Sequence, residues 1–165
     1  MTELRPFLRA LPAFERFNEK QLDALISNLR VTSYPAGHQF ITQDTEGSAA
    51  YVIVSGVVEF IHQDSPESEI QLVREARDGE VFGLLSLVPN MPSPRTSIAK
   101  SDVVVAELPP ERYHALFLLA PAVAHQLQFM VAVQLARDLQ RKNQSLRQGL
   151  ASQKPRSLLE RLFGA

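Results

Sequence analysis

Tyr34-Pro35-Ala36-Gly37-His38-Gln39-Phe40-Ile41, then Asp44 and Gly47, then Ala50-Tyr51-Val52-Ile53-Val54-Ser55-Gly56-Val57-Val58-Glu59-Phe60-Ile61: residues 34–61 decide the fold. Tyr34 to Gly37 is turn chemistry. His38 to Thr42 is a short run, apolar at Phe40 and Ile41. Ala50 to Val54 is rich in β-branched and aromatic residues and reads as a buried strand. Ser55-Gly56 breaks it, and Val57 to Ile61 resumes. Short strands parted by turn residues this often belong to an antiparallel β architecture.

The pattern continues on the C-terminal side. Asp64-Ser65-Pro66-Glu67 is a loop, and Glu69 to Val73 alternates with Ile70 and Leu72 on one side. Val81-Phe82-Gly83 is brief, and Thr96 to Lys100 and Val103 to Leu108 are the last strands. About eight strands at roughly ten-residue spacing predict a β-sandwich, jelly roll or small barrel. Glu59, Glu80 and Glu107 read as solvent-facing strand residues.

Both flanks are helical. Leu22, Leu25, Ile26 and Leu29 recur at spacings of three and four, with Asn18 as N-cap and Gln21 as its capping-box partner. Phe7, Leu8, Leu11, Phe14 and Phe17 form an apolar cluster ahead of them. After Pro109-Pro110, Glu111 to Leu119 reads as a short helix. Pro121 suits the first turn of a second helix, which runs from Ala122 to about Leu150 and ends at Gly149-Leu150, roughly 40 Å at 1.5 Å per residue. Val123, Leu127, Val131, Leu135, Leu139, Leu146 and Leu150 lie along one side of it. So long a helix is not stable alone. The stripe predicts that its first half packs on the β-body and the rest on a second copy, with Leu127, Val131, Leu135, Leu139 and Leu146 as the homodimer face.

Composition excludes several classes. The 165 residues are 45% hydrophobic and 21% charged, which is globular. The absence of cysteine removes disulfides, thiolate metal sites and thiol catalysis. No apolar run marks a signal peptide or reaches a membrane-spanning length, so a cytoplasmic protein with no transmembrane segment is expected. Residues 1–136 carry 10 Lys/Arg against 16 Asp/Glu, whereas residues 137–165 carry 7 against 2. An acidic body repels nucleic acid, so an anionic partner would meet the basic end. The histidines His38, His62, His114 and His125 are too scattered for a metal site, although His38 and His62 could meet across strands. No nucleophile, Walker or zinc-protease motif is present, and catalysis is not expected.

Residues 34–61, with Pro35, Gly37, Phe40, Asp44, Gly47, Tyr51-Val52-Ile53, Ser55-Gly56, Val58 and Phe60, resemble the cyclic-nucleotide-binding domain family, which includes the effector domains of catabolite activator protein-like regulators. The resemblance extends to that family's phosphate-binding cassette: Phe82-Gly83-Leu84-Leu85-Ser86-Leu87, a loop with Pro89, Pro92 and Pro94, then Arg95-Thr96. It spans about residues 10–150. It implies a mainly β fold with flanking helices: a double-stranded β-helix, or jelly roll, of about eight strands, N-terminal helices, a short helix and a long C-terminal helix. It assigns residues 1–150 to the domain, with the dimerisation helix at about 121–150, and leaves 151–165 as a basic amphipathic tail.

The resemblance also implies a ligand, cyclic AMP or cyclic GMP, bound by Phe82, Gly83, Leu84, Leu85, Ser86, Arg95 and Thr96. Gly83 would admit the backbone to the anion, amides of the turn near Ser86 would face the phosphate, and Arg95 would supply a charge-assisted bond. Leu84 stands where the family places a carboxylate that accepts from the ribose 2′-hydroxyl. Losing that bond costs about 1.5–3 kcal/mol, roughly ten- to a hundredfold in affinity. Glu80 is the alternative acceptor, and simple loss is preferred. Gln126, Gln128 and Gln134 are candidate base contacts. Regulators of this class follow the long helix with a helix-turn-helix of some seventy residues. About fifteen residues follow it here, so direct DNA binding is not expected.

The function expected is therefore a regulatory or sensor domain that binds a cyclic nucleotide weakly, or a related anion, and signals through its C-terminal helix. Two alternatives stand beside it: an interaction or dimerisation module with a vestigial pocket, docking a partner through residues 154–165, and the effector half of a transcription regulator.

Overall fold

The computed structural model describes residues 4–152. The basic tail expected at 151–165 lies, beyond Ser152, outside the described residues. Contacts divide the chain into two compact units, one ending at Val131 and one beginning at Ala132.

In the first unit, helix α1 (Leu4–Arg9), a 3-10 turn (Pro12–Phe14) and α2 (Glu19–Ile26) precede the strands. The reciprocal cap is as predicted: the Gln21 amide donates to Asn18 Oδ1 at 3.0 Å and the Asn18 amide to Gln21 Oε1 at 2.9 Å. Eight strands follow: β1 (Arg30–Tyr34), β2 (Gln39–Ile41), β3 (Ala50–Ser55), β4 (Val58–His62), β5 (Gln71–Ala76), β6 (Val81–Phe82), β7 (Thr96–Ala99) and β8 (Val103–Leu108). They form two antiparallel four-stranded sheets, ordered β1-β8-β3-β6 and β2-β7-β4-β5. The jelly roll with flanking helices is the fold.

Between the sheets lies a core of Phe40, Ile41, Tyr51, Ile53, Val58, Phe60, Phe82, Val103 and Val105. Phe82 is its hub, stacked on Tyr51 at 4.8 Å and edge-on to Phe40 at 5.4 Å and Phe60 at 5.6 Å. Such ring pairs contribute beyond the area they bury. Helix α3 (Pro110–Leu119) and the start of α4 (Pro121–Ser152) follow β8.

Four expectations need correction. Leu127 and Val131, 3% and 5% exposed, are buried within their own chain, so they are not free to form a dimer face. Helix α4 runs through Gly149 to Ser152; a glycine costs a helix only about 1 kcal/mol against alanine, and the turns around it carry the helix through. Strand β5 starts two residues later than the alternation implied, and Ile70 and Leu72 are 62% and 58% exposed. Glu107 is not solvent-facing: it is 2% exposed.

Glu107 is buried because its partners come with it. Register pairs Arg30 of β1 with Glu107 of β8. Arg30 Nη2 donates to Glu107 Oε2 at 2.7 Å and Tyr34 Oη donates to Oε1 at 2.6 Å. Burial pushes the Glu107 carboxyl up, but the bonds from Tyr34 and Arg30 outweigh it and hold it below the usual glutamate range. Burial, then the bond to Glu107, pushes the Tyr34 hydroxyl up to about 12. A carboxyl depressed in the folded state stabilises above the ordinary glutamate range, and that stability is lost as pH falls through the folded value. At pH 7, Glu107→Gln and Tyr34→Phe are each expected to lower unfolding free energy by about 2 kcal/mol in urea titrations. The gap between wild type and Glu107→Gln should close as the pH is lowered through the depressed range; a gap constant with pH would contradict this account.

Candidate functional site

The cassette residues lie at the end of β6. Phe82, 4% exposed, is a core anchor, and its part in the site is to fix where the chain leaves the sheet. Gly83 follows with φ 72° and ψ 15°. A Cβ there would lie 2.7 Å from the Ala49 carbonyl oxygen and 3.1 Å from atoms of Ile41 and Tyr51. Both the left-handed backbone and the crowding call for glycine. From Gly83 the chain enters a 3-10 turn, Leu84–Leu87. The Ser86 amide is engaged inside it, donating to the Gly83 carbonyl at 2.9 Å. The amides of Leu84 and Leu85 precede the turn's first internal bond and have no acceptor within it. These two, and not the amide at Ser86, are the donors that the turn itself leaves without a partner.

Gly47, in the β2–β3 loop, closes on the turn from the other side. A Cβ on it would sit 2.0 Å from Ser86 Oγ. Residues 42–47 also lace the cassette loop: the Asp44 amide donates to the Ser93 carbonyl and the Ser93 amide to the Thr45 carbonyl, both at 2.8 Å. The Asn90 amide donates to Glu46 Oε2 at 3.2 Å. Arg95 is half-buried, and its neighbours are pinned. Ser93 Oγ donates to the Arg95 carbonyl at 2.7 Å, and Thr96 Oγ1 accepts from the Gln43 amide at 2.9 Å. Gln43 is tied in turn to Gln63 by two bonds, of 2.8 and 3.0 Å. Sequence reading did not select Gln43 or Gln63 for the site. Their bonds join residues twenty apart, from the Gln43 side chain to the Gln63 backbone, which leaves no periodicity to read.

The far side of the turn meets helices. Leu84 and Leu87 line a small apolar cleft with Phe14, Leu25, Leu127 and Met130. Leu84, 9% exposed, is there a packing residue. Glu80 is not available to replace the missing acceptor: its carboxylate accepts from Arg74 Nη1 at 2.7 Å and from the Arg77 amide at 2.9 Å. Gln126 donates to the Arg16 carbonyl, Gln128 is exposed, and Gln134 donates to Asp138. His38 stacks on Tyr34 at 4.0 Å, while His62 bonds Pro94 and Asp64. Among the described residues no group of His, Asp and Glu could hold a metal ion, and no helix is long and apolar enough to cross a membrane.

A family model described as cyclic nucleotide-binding domain matches residues 31–118. The chain belongs to this family. Among relatives, the cyclic AMP receptor protein of Thermus thermophilus is 28% identical over 130 residues, covering 78% of this chain and 59% of that protein. A cAMP-dependent protein kinase regulatory subunit of Aspergillus fumigatus is 35% identical over 103 residues, covering 62% of this chain and 22% of its own. This chain thus spans under two thirds of the length of either relative. Among solved structures, the Thermus thermophilus catabolite activator protein aligns with a TM-score of 0.68 at 28% identity, over 82% of this chain and 62% of that one. The regulatory domain of Toxoplasma gondii PKA with cAMP aligns with a TM-score of 0.70 at 18% identity, over 82% and 49%, a likeness of fold.

The two glycines give this geometry a direct check. Gly83→Ala and Gly47→Ala are each expected to lower unfolding free energy by about 2 kcal/mol, the first through left-handed strain and the second through displacement of Ser86. Urea titration reads both, and wild-type stability in either variant would contradict the close approach.

Proposed function

We propose that this chain is a regulatory domain that takes cyclic AMP or cyclic GMP at the Leu84–Leu87 turn, with Arg95 and Thr96 opposite, and signals through α4. The observation that carries the reading is the left-handed Gly83 opening a turn whose first two amides have no acceptor within it. Arg95 is the cation for the cyclic phosphate. Leu84 offers no acceptor to the ribose, so binding is weak. Signalling has a physical route, because Leu84 and Leu87 share their cleft with Leu127 and Met130 of α4. A ligand that moves the turn changes what α4 packs on, and it shifts that equilibrium by its difference in affinity for the two arrangements.

Ligand at a hundred times its dissociation constant adds about 2.7 kcal/mol of stability. Wild type is therefore expected to melt higher with millimolar cyclic AMP or cyclic GMP, and Arg95→Ala to show no shift. An unshifted wild type would overturn the reading.

The apolar seat of Leu84 favours a second reading, a dimerisation and interaction module with a vestigial pocket. Leu84→Glu separates the two. In a working site the carboxylate turns to the ribose and affinity rises about tenfold, a charge-assisted bond less the desolvation of the glutamate. In a vestigial one the variant loses stability and binds nothing. Calorimetry reads both outcomes.

Either reading includes dimerisation through α4. Leu139, Leu146 and Leu150 are 61%, 65% and 70% exposed, at spacings of seven and four on a helix with charged residues between them. We assign the dimer face to these and to Leu135. Leu139→Lys is expected to halve the mass seen by light scattering at tens of micromolar, and a wild type already monomeric there would contradict the assignment.

A further inference from the structure

Arg95 has a neighbour whose hydrogen bonds depend on charge. His62 closes β4, and its side chain is 36% exposed. Its Nδ1 lies 3.0 Å from the carbonyl oxygen of Pro94, and its Nε2 lies 3.0 Å from Asp64 Oδ1. A carbonyl oxygen only accepts, and so does an ionised carboxylate. A neutral imidazole carries one N–H and can satisfy one of them. The imidazolium carries two and satisfies both. Pro94 immediately precedes Arg95, and Thr96, immediately after, is held by the Gln43 amide. The end of β4 therefore grips Arg95 from both sides: through His62 on Pro94, and through Gln63 and Gln43 on Thr96. Only the first of these grips is made by an imidazole, whose number of N–H donors depends on its charge.

We propose that His62 is a positioning residue for Arg95, and that its protonation strengthens anion binding at the cassette. The inference rests on the cyclic-nucleotide reading of the site. Two effects act in the same direction. The doubly bonded imidazolium fixes the Pro94 carbonyl, so less ordering of the loop is left to be done on binding. Its positive charge, bonded to the carbonyl of the residue before Arg95, also favours an anion. The charged group bonded to it is Asp64 on its own loop, and along the chain Arg95 follows the Pro94 that it bonds, while Asp44 is held by Gln43 Nε2 at 3.2 Å. A cyclic phosphodiester keeps one negative charge throughout the neutral range, so the ligand adds no titration of its own. By linkage, a proton that strengthens ligand binding is itself bound more tightly when ligand is present.

The test is titration calorimetry of the full chain with cyclic AMP from pH 8 to pH 6. Wild type should bind three- to tenfold more tightly at pH 6, the worth of one added hydrogen bond and its charge. At pH 7, in buffers of different ionisation enthalpy, it should take up a fraction of a proton on binding. His62→Gln keeps one donor but cannot titrate. It should bind with the pH 8 affinity of wild type at every pH and take up no proton. His38, His114 and His125 remain in that variant, so a slope that survives in it assigns the proton elsewhere and overturns the proposal. So does a wild type that binds with no pH dependence. A wild type that binds at no pH overturns the cyclic-nucleotide reading, and the role of His62 goes with it. Melting temperatures of both proteins without ligand check that each is folded across the range.

Discussion

The backbone of Gly83, wedged left-handed against the Ala49 carbonyl, is the constraint on which the rest of the site depends. Phe82 is held among Phe40, Tyr51 and Phe60, so the chain cannot leave the core at any other place. It must also turn at once, because β6 is two residues long. The single backbone conformation that meets both demands is one that glycine alone adopts without strain. The Leu84–Leu87 turn inherits its orientation from that residue, and its first amides inherit theirs.

A four-residue turn built this way has two sides with different chemistry. One side is backbone, enclosed by Gly47 and the laced loop of residues 42–47. The other is leucine, set into the cleft with α2 and α4. The proposed binding would use the first side and the proposed signalling the second, and the two are separated by the thickness of one peptide chain. Leu84 shows the tension between them. A carboxylate at this position would suit a ribose, whereas leucine suits the cleft. The residue present favours packing over recognition.

Much of this was legible in the sequence. The Asn18–Gln21 cap is local and carries its own signature. The strands from Ala50 to Ile61 announce themselves by composition, and the turn at Gly83 by motif. Pairings made between distant strands were not legible. Glu107 reads as solvent-facing because alternation gives parity without saying which parity is inside, and the charge argues for outside. Only the register of β1 against β8, which delivers Arg30 and Tyr34 to it, places it inside. Leu127 and Val131 lie on one stripe with Leu139 and Leu146, and period alone cannot mark where a helix leaves its own domain. His62 and Pro94 are thirty-two residues apart, and their bond uses a backbone carbonyl, which no side-chain pattern encodes.

The cleft between the cassette turn and the helices is incompletely filled, and its lining is apolar. Empty space adds to the partial volume of whichever state contains it. Two arrangements of α4 against the turn that differ in how well they fill this seam therefore differ in volume as well as in energy. Hydrostatic pressure favours the smaller of them, as it favours any state that eliminates voids. Any such balance between arrangements of α4, as proposed above, is thus tied to compression, independently of a ligand.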